Sequence, residues 1–150
     1  MRRVSSLLIA TIALSGGVAA AADFQSASGA AVLYDAPSLK AKPLFVIGRD
    51  TPFEVIVGVE GWLKIRDASG TVAWIERKAV SERRTLIVRV PVADVLSAPE
   101  GNAPPVFKAE QNVVLELVDP AHVSNTPGWA KVRHRDGQQG YIRIAQVWGL

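Results

Sequence analysis

A short block of sequence near the middle of the chain recurs sixty-seven residues later. GWLKIR at residues 61–66 returns as GWAKVR at residues 128–133, and glycines at 70 and 137 keep the same spacing. Upstream, the Ala-Pro pair at residues 36–37 matches another at 98–99, sixty-two residues on. The difference of five falls in the turn-rich stretch 119–127 of the second copy. An internal repeat of this length fixes the domain count, so the chain contains two copies of one small unit.

The pattern inside each copy is that of short β-strands. Residues 62–66 alternate strictly between two faces, residues 67–70 form a glycine-containing hairpin connection, and residues 71–75 read as the return strand. Residues 76–80 lack strand character and predict a single helical turn. No amphipathic helix of useful length follows the N-terminal segment, so the fold class is all-β.

A polar connector, Ser-Glu-Arg-Arg at residues 81–84, separates the copies and predicts units spanning 23–84 and 85–150. Residues 23–28 are interpreted as a short polar lead to the first unit. The β-rich run at 85–95 is broken by Pro91, and its first half could close the first unit. Each unit of about sixty residues has no disulfide to support it, because the chain contains no cysteine. Domains this small have marginal stability on their own, so we expect the two copies to pack against each other and stabilise each other.

The N-terminus predicts a signal peptide over residues 1–22. Arg2 and Arg3 precede an apolar run at 4–15, and four alanines at 19–22 supply small residues for cleavage before Asp23. An uncleaved anchor is the alternative, although the run is short for a membrane span. We therefore expect a periplasmic or secreted protein with no membrane span after cleavage.

Composition excludes several function classes. Loss of Arg2 and Arg3 leaves fifteen basic residues against fourteen acidic ones, and they form no stripe that could follow a nucleic-acid backbone. His122 and His134 lie in separate segments without metal-ligand spacing, so neither a metal nor a cofactor is expected. No serine lies in a Gly-x-Ser-x-Gly turn, and no carboxylate pair has spacing suited to acid and base roles. We interpret the protein as not an enzyme.

These features resemble the bacterial SH3-like (SH3b-type) domain. The residues that carry the resemblance are Gly61, Trp62, Lys64, Ile65, Arg66, Gly70, Trp74 and Ile75, with Gly128, Trp129, Lys131, Val132, Arg133, Gly137, Gly140, Tyr141 and Ile142. The resemblance covers nearly all of residues 31–150 and implies two tandem, small, five-stranded SH3-like barrels. Some members of the family target peptidoglycan or its peptides.

Five residues of the first copy are candidate ligand-binding residues. Tyr34, Trp62 and Trp74 could form an aromatic groove that stacks on a sugar ring or grips a peptide. Asp35 adjoins Tyr34, and Arg66 belongs to a basic strand face that could meet wall carboxylates. The alternatives are that the tryptophans cap the barrel core and that the basic face is simply solvated.

The sequence therefore predicts a non-catalytic exported binding module for a cell-envelope ligand, peptidoglycan or its peptides. A protein–protein interaction scaffold in the envelope is the alternative. The stretch 119–127, present in only one copy, is either a binding loop or tolerated length, and long loops often carry function.

Overall fold

The computed structural model describes residues 21–150 of the chain. The predicted signal peptide lies outside the described residues except for its last two positions. Within residues 21–150, no helix is long and apolar enough to cross a membrane.

The first unit is one antiparallel sheet of seven short strands in the order β3-β2-β6-β5-β4-β1-β7. Glycine turns with positive φ, at Gly61 and Gly70, connect β4 to β5 and β5 to β6. A 3-10 turn at Arg77–Ala79 precedes the last strand, where the sequence predicts a helical turn. The strands are β1 (Asp23–Ala27), β2 (Ala31–Tyr34), β3 (Pro43–Ile47), β4 (Pro52–Val59), β5 (Trp62–Arg66), β6 (Val72–Glu76) and β7 (Val80–Ser81).

The second unit repeats this sheet with the order β10-β9-β13-β12-β11-β8-β14. It adds a 3-10 segment at Pro120–Asn125 between β11 and β12 and keeps a 3-10 turn at Ile144–Gln146. The strands are β8 (Thr85–Val88), β9 (Val92–Leu96), β10 (Pro105–Glu110), β11 (Val114–Leu117), β12 (Trp129–Arg133), β13 (Gln139–Arg143) and β14 (Val147–Trp148). The prediction of an all-β fold with two tandem units is confirmed.

Each sheet has seven strands because two short flanking strands add to the five that the resemblance implies. In the first unit these are β1 and the two-residue β7, which pair with each other, while β1 also pairs with β4. The interpretation of residues 23–28 as a polar lead is wrong. Ser26 can be buried there because its hydroxyl donates a hydrogen bond to the Arg83 carbonyl, 2.7 Å away.

The strand β8 belongs to the second sheet, where it pairs with β11 and β14, so it does not close the first unit. Its place in the first sheet is taken by β1, which pairs with β4 and β7 in the same way. The run at 85–95 is therefore two strands of one unit, and Pro91 lies in the turn between them.

Each unit has its own hydrophobic core, built by period-two alternation along the strands. On β5, Leu63 and Ile65 are buried, so Trp62, Lys64 and Arg66 point to the outer face. The first core contains Ala27, Ala31, Leu33, Ile47, Phe53, Leu63, Ile65, Ala73 and Ile75. The second contains Leu86, Val88, Ala93, Val95, Ala109, Leu115, Leu117, Ala130, Val132 and Ile142.

The connector between the units is held by contacts on both sides. The Thr85 hydroxyl donates to the Asp50 carbonyl of the first unit at 2.7 Å. The Arg83 guanidinium lies 3.6 Å from the Asp50 carboxylate and 2.8 Å from that of Glu116 in the second unit. The Phe24 ring meets the Trp148 ring edge-on, with centroids 5.0 Å apart.

Candidate functional site

The three aromatic side chains predicted for the first unit lie on one outer sheet face. Tyr34 is directly opposite Trp74 on the neighbouring strand, and Trp74 is opposite Lys64. The Tyr34 and Trp62 rings meet edge-on, with centroids 5.5 Å apart and planes at 87°. All three aromatic side chains are half-buried, so each keeps some surface in contact with solvent.

Lysine covers part of this aromatic surface. The Lys64 ammonium lies 5.8 Å from the centroid of the Trp74 ring, which is within the range of a cation–π contact. One face of Trp74 is therefore already engaged by the protein. Trp62 also lines a surface depression.

Trp62 forms one wall of a surface depression of about 790 Å³. The loop between β2 and β3 supplies apolar side chains, among them Leu39, which is 64 % exposed. The end of β6 and the following 3-10 turn supply the charged rim. The lining residues are Pro37, Ser38, Leu39, Lys40, Gly61, Trp62, Glu76, Arg77 and Lys78.

The rim of the depression carries more positive than negative charge. Lys78 Nζ lies 2.8 Å from Glu76 Oε2, and this hydrogen bond with its accompanying charge attraction raises the pKa of Lys78. Among the described residues, no carboxylate lies within 4 Å of the charged groups of Lys40 or Arg77. An aromatic wall with free cations beside it suits a ligand that combines a ring or apolar face with carboxylates.

The structure gives Asp35 and Arg66 contacts away from this depression. Asp35 Oδ1 accepts the backbone N–H of Lys42 at 3.0 Å and closes the loop between β2 and β3. Arg66 Nη1 lies 2.8 Å from Glu54 Oε2, two positions beyond Lys64 on β5. Asp35 therefore shapes the loop that lines the depression, and Arg66 is paired across the sheet. Neither residue lines the depression, and a ligand-binding role for them stays a prediction.

Sequence reasoning missed most of the lining of the depression. The loop 37–40 and the turn Arg77–Ala79 carry no aromatic signal, and they meet Trp62 only because the chain folds back. The available signal was the Ala-Pro turn that both copies share, because in the structure the loop that follows it lies near the Gly-Trp corner of each unit.

The equivalent aromatic position in the second unit is largely covered, and Trp129 borders smaller cavities than Trp62 does. Trp129 is only 8 % exposed, and the Arg143 guanidinium lies 4.6 Å above its ring. The 3-10 segment Pro120–Asn125 packs beside it and leaves a smaller cavity of about 320 Å³, bordered by Lys131 and Tyr141. The interpretation of this tryptophan as part of the packing therefore holds in the second unit, where a buried Leu96 replaces Tyr34.

The outer edge of the sheet also differs between the units. In the first unit the cross-strand pair Val32–Val46 is apolar, with Val46 63 % exposed on the edge strand β3. The matching pair in the second unit, sixty-two residues on, is Asp94–Lys108, whose charges lie 3.8 Å apart. The first sheet therefore presents an uncharged free edge.

Within the described residues, no group of three or more histidine, cysteine or acidic side chains is arranged to hold a metal ion. His122 is paired with Asp119 at 2.6 Å, and His134 with Asp136 at 3.0 Å, in separate turns.

A family model described as the bacterial SH3 domain matches the chain twice, over residues 27–82 and 90–149. No curated protein matches the chain.

Similar solved structures include NlpC2 and NlpC1 from Trichomonas vaginalis, each 16 % identical, with TM-scores of 0.38 and 0.39. The match to NlpC2 covers 87 % of this chain and 49 % of NlpC2, and the match to NlpC1 covers 93 % of this chain and 50 % of NlpC1. An NlpC/P60 family protein from Bacillus cereus is 13 % identical with a TM-score of 0.37, and 83 % of this chain covers 55 % of it. The chain thus spans about half the length of these proteins.

Proposed function

The chain belongs to the bacterial SH3 domain family, and from that premise we propose that it is an exported, non-catalytic module that binds peptidoglycan or its peptides. Bacterial SH3 domains are typically cell-wall binding modules, and they are often extracellular. The proposed site is the Trp62 depression of the first unit. Its occupant is a segment of wall polymer that offers both a sugar or peptide face and a carboxylate.

The observation that carries this proposal is the open aromatic wall at Trp62. Its counterpart Trp129 is buried beneath Arg143 and a longer loop, so the same fold forms with this tryptophan covered. The exposure of Trp62 is therefore not imposed by the packing of the fold. At Trp62 the equivalent space is a depression with apolar loop residues on one side and cations on the other. A partly exposed aromatic side chain in a concave surface, beside charged groups, is typical of a recognition site.

The chemistry of the depression matches the two parts of the proposed ligand. The indole of Trp62 offers a flat surface on which the C–H face of a sugar or an apolar side chain packs. Lys40 and Arg77 lie on the rim, where a peptide carboxylate would receive charge-assisted hydrogen bonds. Because these cations are exposed, their contribution falls as salt rises, whereas the aromatic contact persists.

The test is co-sedimentation of the purified protein with isolated peptidoglycan at two salt concentrations. Trp62→Ala removes the open aromatic wall, and Tyr141→Ala removes a half-buried aromatic side chain from the second unit as a matched control. Circular dichroism of each variant confirms that the fold is retained. We expect wild type and Tyr141→Ala to sediment and Trp62→Ala to lose most of its retention at both salt concentrations.

Other outcomes have definite meanings. If retention disappears at the higher salt concentration and Trp62→Ala has no effect, weak charge attraction rather than the aromatic site would explain the binding. Equal loss in both variants would place the contact outside the first-unit depression. Absence of retention in wild type would overturn wall binding.

A second candidate function, a scaffold that binds another envelope protein, is supported by the uncharged edge of the first sheet. Strand β3 exposes Leu44, Phe45 and Val46 at 40 %, 37 % and 63 %, and within residues 21–150 no strand pairs with its outer side. Free edge strands accept a further strand from another chain unless charges protect them. The corresponding strand β10 carries Lys108 and Glu110.

The scaffold hypothesis is tested by giving the first sheet the charged pair that protects the edge of the second sheet. The double variant Val32→Asp with Val46→Lys copies the Asp94–Lys108 pair at the matching positions. Cross-linking in cell envelopes, followed by identification of the products, should show a discrete partner in wild type that the double variant loses. A partner that survives the double variant would rule out the edge as the contact.

A further inference from the structure

A small polar cavity in the second unit is lined by an arginine and an aspartate that form no ion pair with each other. Asp94 lies on β9 and Arg143 at the end of β13, and the cavity has a volume of about 210 Å³. The pairing of these two strands is limited to Leu96 and Tyr141. Asp94 and Arg143 are each two residues further along, so they line the cavity beyond the end of this pairing.

The guanidinium of Arg143 is held in the wall of this cavity by two neighbours. Its central carbon lies 4.6 Å from the centroid of the Trp129 ring. Its Nη2 atom lies 2.9 Å from the point that a Cβ atom at Gly101 would occupy. Trp129 and Gly101 line the same cavity, so the guanidinium is directed into it, and Arg143 is an exposed residue that a ligand can reach. No carboxylate of residues 21–150 lies within 4 Å of this guanidinium.

Asp94 supplies the opposite charge in the same lining. Its side chain is 56 % exposed, and its Oδ1 atom lies 3.8 Å from Lys108 Nζ. That separation is too long for a hydrogen bond, so Lys108 does not occupy an acceptor position of the carboxylate.

The two charges are a property of the second unit alone. By the spacing of the repeat, Asp94 corresponds to Val32 and Arg143 to Glu76. The first unit therefore has the same strands without this combination of an acid and a base. The shared fold does not require the pair.

A cavity with a cation and an anion in its wall suits a ligand that carries both charges. A carboxylate would receive charge-assisted hydrogen bonds from Arg143, and an ammonium group would donate to Asp94. A ligand with one charge would instead place that charge near a wall group of the same sign. The cavity is smaller than the range of about 300–1,000 Å³ typical of drug-sized ligands, so its ligand is small.

We propose that this cavity binds a small α-amino acid as the zwitterion, with its carboxylate on Arg143 and its ammonium group on Asp94. Val92 and Leu96 line the same cavity and offer an apolar surface to a short side chain. The site lies in the second unit and does not depend on wall binding by the Trp62 depression.

The test is nuclear magnetic resonance titration of the isotope-labelled full chain at constant ionic strength. Four probes are compared: alanine, N-acetyl-alanine without the ammonium group, alaninamide without the carboxylate, and acetate. We expect saturable shifts of the Arg143 Nε–H and Asp94 carboxyl-carbon signals with alanine, at a Kd of about 1 mM for so small a ligand. Each singly charged probe should bind at least about threefold more weakly, because it lacks one ion pair.

A pair of glycine variants locates the site. Gly101→Ala places a methyl group 2.9 Å from Arg143 Nη2, so the flexible guanidinium must move, and alanine should bind at least about threefold more weakly. Gly29→Ala is the matched control, since a Cβ atom there meets nothing within 4 Å. It should leave the affinity unchanged.

A charge variant tests the role of Asp94. Asp94→Asn should reduce the affinity for alanine to that of N-acetyl-alanine, and it should not weaken the binding of N-acetyl-alanine itself. This second measurement shows that the variant retains the fold and the Arg143 half of the site.

The opposite outcomes are equally definite. If acetate binds as tightly as alanine, the cavity is a site for simple anions and the zwitterion is wrong. Binding of alanine that is unaffected by both Gly101→Ala and Asp94→Asn would place it outside this cavity. Absence of a saturable shift with alanine would overturn the site.

Discussion

The two units have the same strand order and the same Gly-Trp corner, yet they differ in what that corner exposes. Trp62 borders an open depression, while Trp129 is almost fully buried. One cause is the residue opposite each tryptophan across the hairpin: Glu76 in the first unit forms an ion pair with Lys78, whereas Arg143 lies over the Trp129 ring. The other cause is the longer loop of the second unit. The repeat thus fixes the barrel, and the loops and one cross-strand residue decide which copy has an open surface.

The sheet edges show the same division. Val32 and Val46 of the first unit occupy the positions of Asp94 and Lys108 in the second. The core residues on either side keep their apolar character in both units. The change from apolar to charged side chains therefore lies on the outer face, where it leaves the first unit apolar and the second charged. We infer that contacts with partners are concentrated on the first unit's outer face.

The largest difference in stability between the two units is expected when each tryptophan is removed in turn. Trp129→Ala should lower the free energy of unfolding by about 3–5 kcal/mol, because it empties a buried site. Trp62→Ala should cost about 1–2 kcal/mol, because part of that side chain is already solvated. Chemical denaturation followed by circular dichroism measures both. Equal losses would mean that the two corners contribute alike to packing.

A smaller effect is expected at a strand position where the units differ by one methyl group. Ala73 on β6 matches Gly140 on β13. A Cβ atom at Gly140 would lie 2.6 Å from the Leu96 carbonyl oxygen and 2.7 Å from a Val95 methyl group. Gly140→Ala should therefore destabilise the protein by about 1–3 kcal/mol. The reverse change, Ala73→Gly, should cost only about 0.5–1 kcal/mol, as expected for glycine in a strand.

Thermal unfolding of both variants checks this prediction. If Gly140→Ala is neutral, strands β9 and β13 can separate slightly without loss, and the closer approach in the second unit is not required for packing. A large loss in Ala73→Gly would instead indicate that the methyl group fills space that the first core needs.

The smallest expected effect concerns the hairpin turn of the second unit. Hydrogen bonds from the Gln138 backbone and side chain, and then from His134, lower the pKa of Asp136 from 3.8 to about 2. Because the folded-state pKa is depressed, the resulting stabilisation is present above pH 3.8 and is lost as the pH falls through about 2. Nuclear magnetic resonance titration of the carboxyl carbon should show this midpoint.

Gln138→Ala is the matched variant for this titration. It removes the side-chain hydrogen bond at 2.8 Å and keeps the backbone one at 3.0 Å, so the Asp136 midpoint should rise only part of the way to 3.8. A wild-type midpoint already near 3.8 would show that these hydrogen bonds do not hold the carboxylate in solution. The exposed position of the turn makes the effect on overall stability slight.

The fold could be predicted from the sequence because its signals are local. Alternation along residues 62–66 and the glycine turns at 70 and 137 define the hairpins, and the repeat then supplies the second unit. The strand β1 was missed because Ser26 breaks the apolar pattern. Its burial depends on a carbonyl fifty-seven residues away, which no local pattern reveals.

The candidate site could be predicted only in part. The sequence names Tyr34, Trp62 and Trp74 as a possible aromatic groove, and the strand pairing of the structure brings them together on one face. Whether a tryptophan is open or covered depends on distant loops, so Trp62 and Trp129 look alike in the sequence. The sequence also left Arg66 as a candidate for ligand binding, because its ion-pair partner Glu54 lies on another strand and the pairing is not visible in a local pattern.

The packed connector has a consequence for avidity. Because Arg83 and Thr85 tie the barrels to each other, a polymer held by the first unit would meet the second at a set spacing. A flexible tether would let the second contact sample a wide range of separations, which lowers its effective concentration at any one of them. A ligand that contacted both units would therefore need repeating groups at one separation. The connector thus sets the distance between the two units as well as joining them.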